Sequence, residues 1–303
     1  MNGSPPETFR DPALVDFGID ASGRGRRLER FGGVLVDRPL AHVTGRRHRV
    51  QLWSEAGAVY HASDAPQGGR WEFGREPPDP WKVALPLGTT TLSLEVRPAP
   101  SGQLGLFLEQ VAQWEWLAAV TPPGAVVLSL FAHSGAATLA LAAAGAEVVH
   151  VDASRQAVAL ARRNAEASGL GHLPIHWVRD DAVAFVRRQL RRGRPFSGAV
   201  IDPPSWGHGP RGETFAIDRD FAPLVGDVTR LIAAAGSRPP GPLLLTSHSP
   251  GWHRRRLRAT LEQACAAAGL TCIACDDGPL TCTDDASRPL DLGAFARCLT
   301  RQP

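Results

Sequence analysis

A chain of 303 residues, 43% of them hydrophobic, can bury one large core and a smaller one, and five cysteines without framework spacing argue against a disulfide scaffold. No apolar run is long enough to cross a bilayer, and residues 1–12 lack the basic-then-apolar order of a secretion signal, so a cytoplasmic protein with no membrane partner is expected. The net charge of +3 excludes a polycation, although the positive charge is almost all arginine, clustered at 24–27, 46–49, 187–194 and 254–258. Such clusters suit phosphate contacts and equally suit a solvated face.

In chain order, residues 1–30 are polar and rich in Pro, Gly and Arg, and read as a flexible or partly helical lead-in. Residues 31–100 carry short β-branched and aromatic segments divided by Gly and Pro, which predict a small antiparallel β-rich subdomain with Trp53, Tyr60, Trp71, Phe73 and Trp81 as its core. The three- and four-residue spacing of Leu106, Gln110, Gln113, Trp114 and Leu117 predicts a helix over Gly102 to Leu117, its apolar face on the first strand of the main domain, 101–303.

That strand is the apolar run Val126 to Leu130. Gly135 permits a tight turn and a close backbone approach, Ala136 to Ala144 is a strong helix former stopped by Gly145, and Glu147 to Val151 is a second strand ending at Asp152. A dinucleotide site wants three glycines so that phosphates can reach the helix start, whereas His133, Ser134 and Ala136 crowd this turn. S-adenosyl-L-methionine carries no phosphate and suits a one-glycine turn. In either case Asp152 is placed for ribose hydroxyls; the plainer alternative is an ordinary βαβ unit in which Asp152 caps the helix opening near Ser154.

The alternation continues with a helix over Ser154 to Ser168, a strand over Ile175 to Val178, a helix over Asp181 to Arg192 and a strand from Gly198 to Ile201. Asp180 and Asp181 fall on the same carboxyl edge as Gly135 and Asp152; one of them, Asp181 by preference, is expected to receive an adenine amino group and the other to cap the helix. A helix from Phe221 to Ala235, a strand from Pro242 to Thr246 and a helix from His253 to Ala268 come next. Two closing strands, Leu270 to Ala274 and Leu292 to Leu299, have no crossover helix and must pair antiparallel. A mostly parallel Rossmann-like α/β sheet with an antiparallel C-terminal hairpin is the plan of class I methyltransferases. Cys272 and Cys275 have metal-like spacing, but no second pair accompanies them, so no metal site is expected. No oligomeric state can be read from the sequence.

The segment Asp202-Pro203-Pro204-Ser205-Trp206 carries the chemistry. Two prolines fix two φ angles and remove two N–H donors, leaving carbonyls free to accept. The Asp202 carboxylate and the Pro203 carbonyl are thus expected to take the hydrogens of an exocyclic amine, with Trp206 stacking on a planar base. The alternative is a rigid turn with Trp206 in the core.

The runs LSLFAHSGAATLALAAAGA, HVDASRQAVALARRNAEASGL, RDDAVAFVRR, IDPPSWGHGPRGETF and LLLTSHSPGW together resemble the bacterial S-adenosylmethionine-dependent methyltransferases related to the large-subunit ribosomal RNA enzymes. The resemblance spans about Gly102 to Arg301. It implies that Phe131, His133, Ser134, Gly135, Asp152, Ala153 and Asp181, with Asp180 beside it, line the cofactor. It places Asp202 with them and Pro203 to Trp206 facing the substrate, RNA. Asp202, Pro203, Pro204 and Ser205 are accordingly expected to be catalytic and Trp206 to bind the substrate, with His248 near it; a lone turn histidine such as His248 or His208 is more often a surface residue. Relatives that methylate C5 of cytosine use a cysteine near the double proline or after the fifth strand; here the second place reads Thr246-Ser247-His248-Ser249 and neither has one. Nitrogen methylation is therefore expected, with a small-molecule or protein N-methyltransferase and a non-catalytic nucleotide-binding scaffold as the other readings.

Overall fold

The computed structural model describes residues 11–301 apart from 42, 64–67 and 237. Two compact units divide the chain: residues 1–85, 94–108 and 282–290 in one, and 86–93, 109–281 and 291–303 in the other.

The first unit holds a five-stranded sheet in sequence order: β1 (Ala13–Ile19), β2 (Gly25–Phe31), β3 (Val34–Pro39), β4 (Ala58–His61) and β5 (Arg70–Phe73). The flexible lead-in expected up to Arg30 is corrected here, since β1 and all but the last residue of β2 lie within it; residues 1–10 are outside the described residues. Composition misled because β2 is highly charged, yet its charges have cross-strand partners: Arg26 reaches Asp37 at 2.5 Å, and Glu29 takes Arg38 at 2.5 Å. The sheet is also mixed rather than antiparallel. β3 and β4 are parallel, joined by an 18-residue crossover, 40–57, that contains the short helix α1 (Val50–Trp53). Trp53, Tyr60 and Trp81 are buried as expected, whereas Trp71 and Phe73 are half-buried. Strands β6 (Lys82–Leu87) and β7 (Thr90–Glu95) form a separate two-stranded sheet.

The helix expected over Gly102 to Leu117 starts later in the chain. Gly102 and Gly105 both have φ of 82°, which a continuous helix does not admit, so a 3-10 turn at Leu108–Gln110 leads into α2 (Val111–Val120). That helix packs chiefly on α3 (Ala136–Ala143) rather than on the strand before it. The remaining elements are β8 (Val126–Leu130), β9 (Glu147–Asp152), α4 (Arg155–Ala167), β10 (Ile175–Arg179), α5 (Ala182–Arg192), β11 (Gly198–Ile201), β12 (Trp206–His208), β13 (Thr214–Ala216), α6 (Ile217–Ala233), β14 (Pro242–Ser247), α7 (Arg254–Ala267), β15 (Thr271–Thr283) and β16 (Pro289–Arg301). The seven-stranded sheet runs β10-β9-β8-β11-β14-β16-β15, parallel from β10 to β14, with β16 antiparallel to β14. Apolar side chains of β11 and β14 meet Phe221, Val225 and Val228 of α6 and Leu257 and Leu261 of α7 in one core.

His150, in the middle of β9, is fully buried; its Nδ1 pairs with the Thr138 hydroxyl at 2.9 Å, and its Nε2 has no partner among the described residues. Burial holds its imidazole at about 3, far below the ordinary 6.5. Below pH 6.5 the unfolded chain takes up a proton that the folded chain refuses, so this contribution is complete above 6.5 and declines as pH falls toward 3. From pH 7 to pH 5 the loss amounts to about 2 kcal/mol. Urea denaturation at the two pH values should show that loss in the parent and a slope shallower by that amount in His150→Asn.

Candidate active site

Parallel strands place their carboxyl ends on one edge, and the register aligns the residues just beyond those ends. Leu130 of β8 pairs with Val151 of β9 and Ile201 of β11, while Ile201 also pairs with Leu245 of β14. The next residue of each strand, Phe131, Asp152, Asp202 and Thr246, therefore stands in one row. Asp152 and Asp202 flank the tip of β8, two strand spacings or roughly 10 Å apart.

Three residues of the turn after β8 are left-handed: Phe131 with φ 55°, His133 with φ 43° and Gly135 with φ 86°. The two that are not glycine each store about 1–2 kcal/mol of strain, which only surrounding bonds can sustain. Those bonds are present: the His133 amide donates to Asp152 Oδ2 at 2.9 Å, the Gly135 amide to the Ala132 carbonyl at 2.9 Å, and Asn164 Nδ2 to the Ser134 carbonyl at 2.9 Å. Gly135 is required for a reason the sequence did not reveal. A Cβ there would lie 2.8 Å from Ala161 Cβ of α4, so the close approach it permits includes a neighbouring helix.

Both carboxylate oxygens of Asp152 are engaged at the start of the next helix and in the turn after β8. Its Oδ2 ties down the turn, and its Oδ1 accepts the Ser154 amide at 2.8 Å ahead of α4, while Ser154 itself caps that helix. The adjoining Ala153 carbonyl accepts from Arg179 Nε at 3.4 Å. Asp181 caps α5 through the Ala184 amide at 2.8 Å, and Asp180 is ion-paired to Arg188 and, at 3.3 Å, to Arg211. Both carboxylates lie on the ligand edge, and both already have partners in the protein.

At the tip of β11, Thr246 Oγ1 donates to Asp202 Oδ1 at 2.5 Å and Gln110 Nε2 to Oδ2 at 3.2 Å, with His248 Nδ1 3.9 Å from Oδ1. Lost hydration pushes the Asp202 carboxyl above the usual range, an effect that the His248 imidazole and the Thr246 hydroxyl oppose. His248 Nε2 lies 2.9 Å from a buried carboxylate, Glu109. Pro203 is buried, Pro204 exposed, and Ser205 Oγ meets Ser249 Oγ at 2.7 Å. Trp206 opens the β12–β13 hairpin 58% exposed, its ring edge-on to His208 with centroids 4.1 Å apart, so the alternative of a core tryptophan does not hold. Glu109, Gln110 and Thr246 are the residues that sequence reasoning missed. The available signal was an acid-amide pair inside the otherwise apolar Gly105 to Val111 run.

Three arginines of the 254–258 cluster are engaged within the protein. Arg258 bonds Glu262 and Asp277, at 2.8 and 2.9 Å, Arg254 lies 3.6 Å from Asp277, and Arg256 meets Asp218 at 3.0 Å and stacks on Trp252.

A mostly parallel sheet in this strand order, with an antiparallel final hairpin and a ligand edge at the β8 and β9 tips, is the class I methyltransferase fold. Over 96% of its length the chain superposes on 90% of the S-adenosylmethionine-dependent methyltransferase of Agrobacterium tumefaciens, with a TM-score of 0.81 and 29% identity. It is also similar in sequence to ribosomal RNA large subunit methyltransferase I of Aeromonas hydrophila, 31% identical over 135 residues, which is 44% of this chain and 33% of that protein. The same-named protein of Erwinia tasmaniensis is 37% identical over 84 residues, 27% of this chain and 21% of that one. The chain thus spans a third or less of the length of these curated relatives. No protein-family profile matches it. Among the described residues no helix is long and apolar enough to cross a membrane.

Proposed function

We propose that the chain is an S-adenosylmethionine-dependent methyltransferase that methylates a base nitrogen in RNA, ribosomal RNA above all, in the cytoplasm. The observation that carries this reading is the flanking of one strand tip by the Asp152-braced turn and the Asp202-Pro203-Pro204 segment, with no cysteine at 203–206 or 246–249.

The donor set fits the cofactor: a strained turn with one glycine rather than the three a pyrophosphate site wants, a carboxylate at the end of β9 for ribose hydroxyls, and Asp180 and Asp181 beyond β10 on the adenine side. When bound, S-adenosylmethionine supplies a methyl group already activated by a positive sulfur. The remaining task is orientation. Asp202, fixed by Thr246 and Gln110, and the Pro203 carbonyl accept the hydrogens of the target amine and so direct its lone pair. Exposed Trp206 offers a face for the base, and His248, between Glu109 and Asp202, lies within reach of a proton leaving the amine.

Incubating the protein with S-adenosylmethionine and total RNA, with mass spectrometry of the nucleosides afterwards, should yield a new N-methylated base; absence of any new modified base removes the RNA part of the reading. The internal pairing of Arg254, Arg256 and Arg258 favours a second reading, a small-molecule or protein nitrogen as acceptor. A true phosphate tracker loses RNA affinity steeply as salt rises, and the second reading expects little salt dependence. Asp152→Ala removes the carboxylate intended for the ribose and frees two amides. Calorimetry should then show S-adenosylhomocysteine binding weakened about tenfold to a hundredfold.

A further inference from the structure

Cys265 on α7, Cys272 on β15 and Cys298 on β16 are well separated in the chain, yet their three Sγ atoms all lie within 4.8 Å of one another. Cys298 pairs with Leu243, the second residue of β14, so the thiols gather at the amino ends of the parallel strands, opposite the edge that carries Asp152 and Asp202. Cys265 and Cys298 are buried in the core and Cys272 is half-buried, which closes the cluster on one side and leaves it accessible on the other.

We propose that Cys265, Cys272 and Cys298 form a three-thiolate site for a divalent thiophilic cation of the zinc class, with the fourth coordination position open to solvent beside Cys272. Tetrahedral metal–sulfur bonds of ~2.3 Å separate the sulfurs by roughly 3.8 Å, so the three atoms need to close by about 1 Å or less. Buried cysteines packed as small apolar residues have no reason to aim three sulfurs, from one helix and two strands, at a single point. Binding forms three metal–sulfur bonds and releases the three thiol protons to solvent, leaving one net negative charge in place of the three that bare thiolates would bring. The site divides the pair whose spacing suggested a metal motif: Cys272 belongs to it, whereas Cys275 Sγ lies 3.8 Å from Glu262 Oε1.

Titration of the reduced 303-residue chain with cadmium chloride, monitored by thiolate-to-cadmium charge-transfer absorption and by thermal unfolding, tests this. The expected result is a band that saturates at one cadmium per chain, is suppressed by competing zinc, and accompanies a higher unfolding temperature. The band should persist in Cys275→Ser and Cys282→Ser and disappear in Cys272→Ser, whose half-buried position tolerates a hydroxyl. A chain that gives no saturable band, or a band that survives in Cys272→Ser, overturns the site. So does a reduced protein that binds no cadmium but closes a disulfide within the cluster on mild oxidation.

Discussion

Asp202→Asn is expected to lower kcat for methyl transfer about a hundredfold or more, with S-adenosylhomocysteine affinity largely unchanged. Both carboxylate oxygens of Asp202 accept from side-chain donors, Thr246 Oγ1 on one and Gln110 Nε2 on the other. An asparagine must turn its NH2 toward one of them, so a donor faces a donor unless that neighbour reverses, and the group that aligns the target amine moves. The negative charge opposite His248 is lost as well. Stability should respond far less. The Asp202 side chain keeps 34% of its exposure, so a neutral amide relieves only part of a desolvation cost while disturbing the bonds to Thr246 and Gln110, and the unfolding temperature should change little. Kinetics with S-adenosylmethionine and an accepted substrate, paired with thermal unfolding, separate the two effects. A variant that unfolds much earlier but turns over normally would show that Asp202 serves the fold rather than the reaction.

Asp16→Ala is expected to destabilise the first unit by about 3–5 kcal/mol. Asp16 is fully buried. Its carboxylate accepts from the His48 and Arg49 amides at 2.9 Å each, from Trp53 Nε1 at 2.8 Å and from Arg288 Nη2 at 2.5 Å. Alanine leaves the buried Trp53 Nε1 without its acceptor and the His48 and Arg49 amides without theirs, while Arg288 keeps Asp284 and the Phe17 carbonyl; an unsatisfied buried donor costs about 1–3 kcal/mol. Asp20 is the control. It accepts from Ser22 and Arg24 in an exposed turn, so Asp20→Ala should shift the urea midpoint far less. Equal losses in the two variants would mean that the Asp16 network contributes no more than a surface turn.

Much of the second unit was legible because burial on both faces of a parallel sheet leaves a plain mark. Val126–Leu130 is a nearly continuous apolar run, broken only by Ser129, and Gly198–Ile201 an unbroken one, and both are strands within those bounds. The absence of a crossover between the last two strands was enough to predict their antiparallel pairing, although each proved longer than its apolar segment. The turn at Gly135 and the double proline were visible because only special backbone needs those residues.

The hidden parts depend on partners remote in sequence. β2 reads as a loop until Asp37 and Arg38 lie across from it. Glu109 and Gln110 look like helix surface until β11 and β14 bring Asp202 and His248 to them. The convergence of three thiols requires the register of β16 on β14, which no local pattern encodes.

Arg288 has a consequence for synthesis. It bonds Asp16 across 272 positions of chain and is held by Asp284 at 2.7 Å within the same unit. On a ribosome the residues around Asp16 emerge 272 positions ahead of Arg288, so the first unit waits, with a counter-ion missing, until that whole stretch has been made. A fragment ending before residue 282 would therefore be a poor stand-in for that unit, and a nascent chain stalled there should be markedly more open to protease than the finished protein.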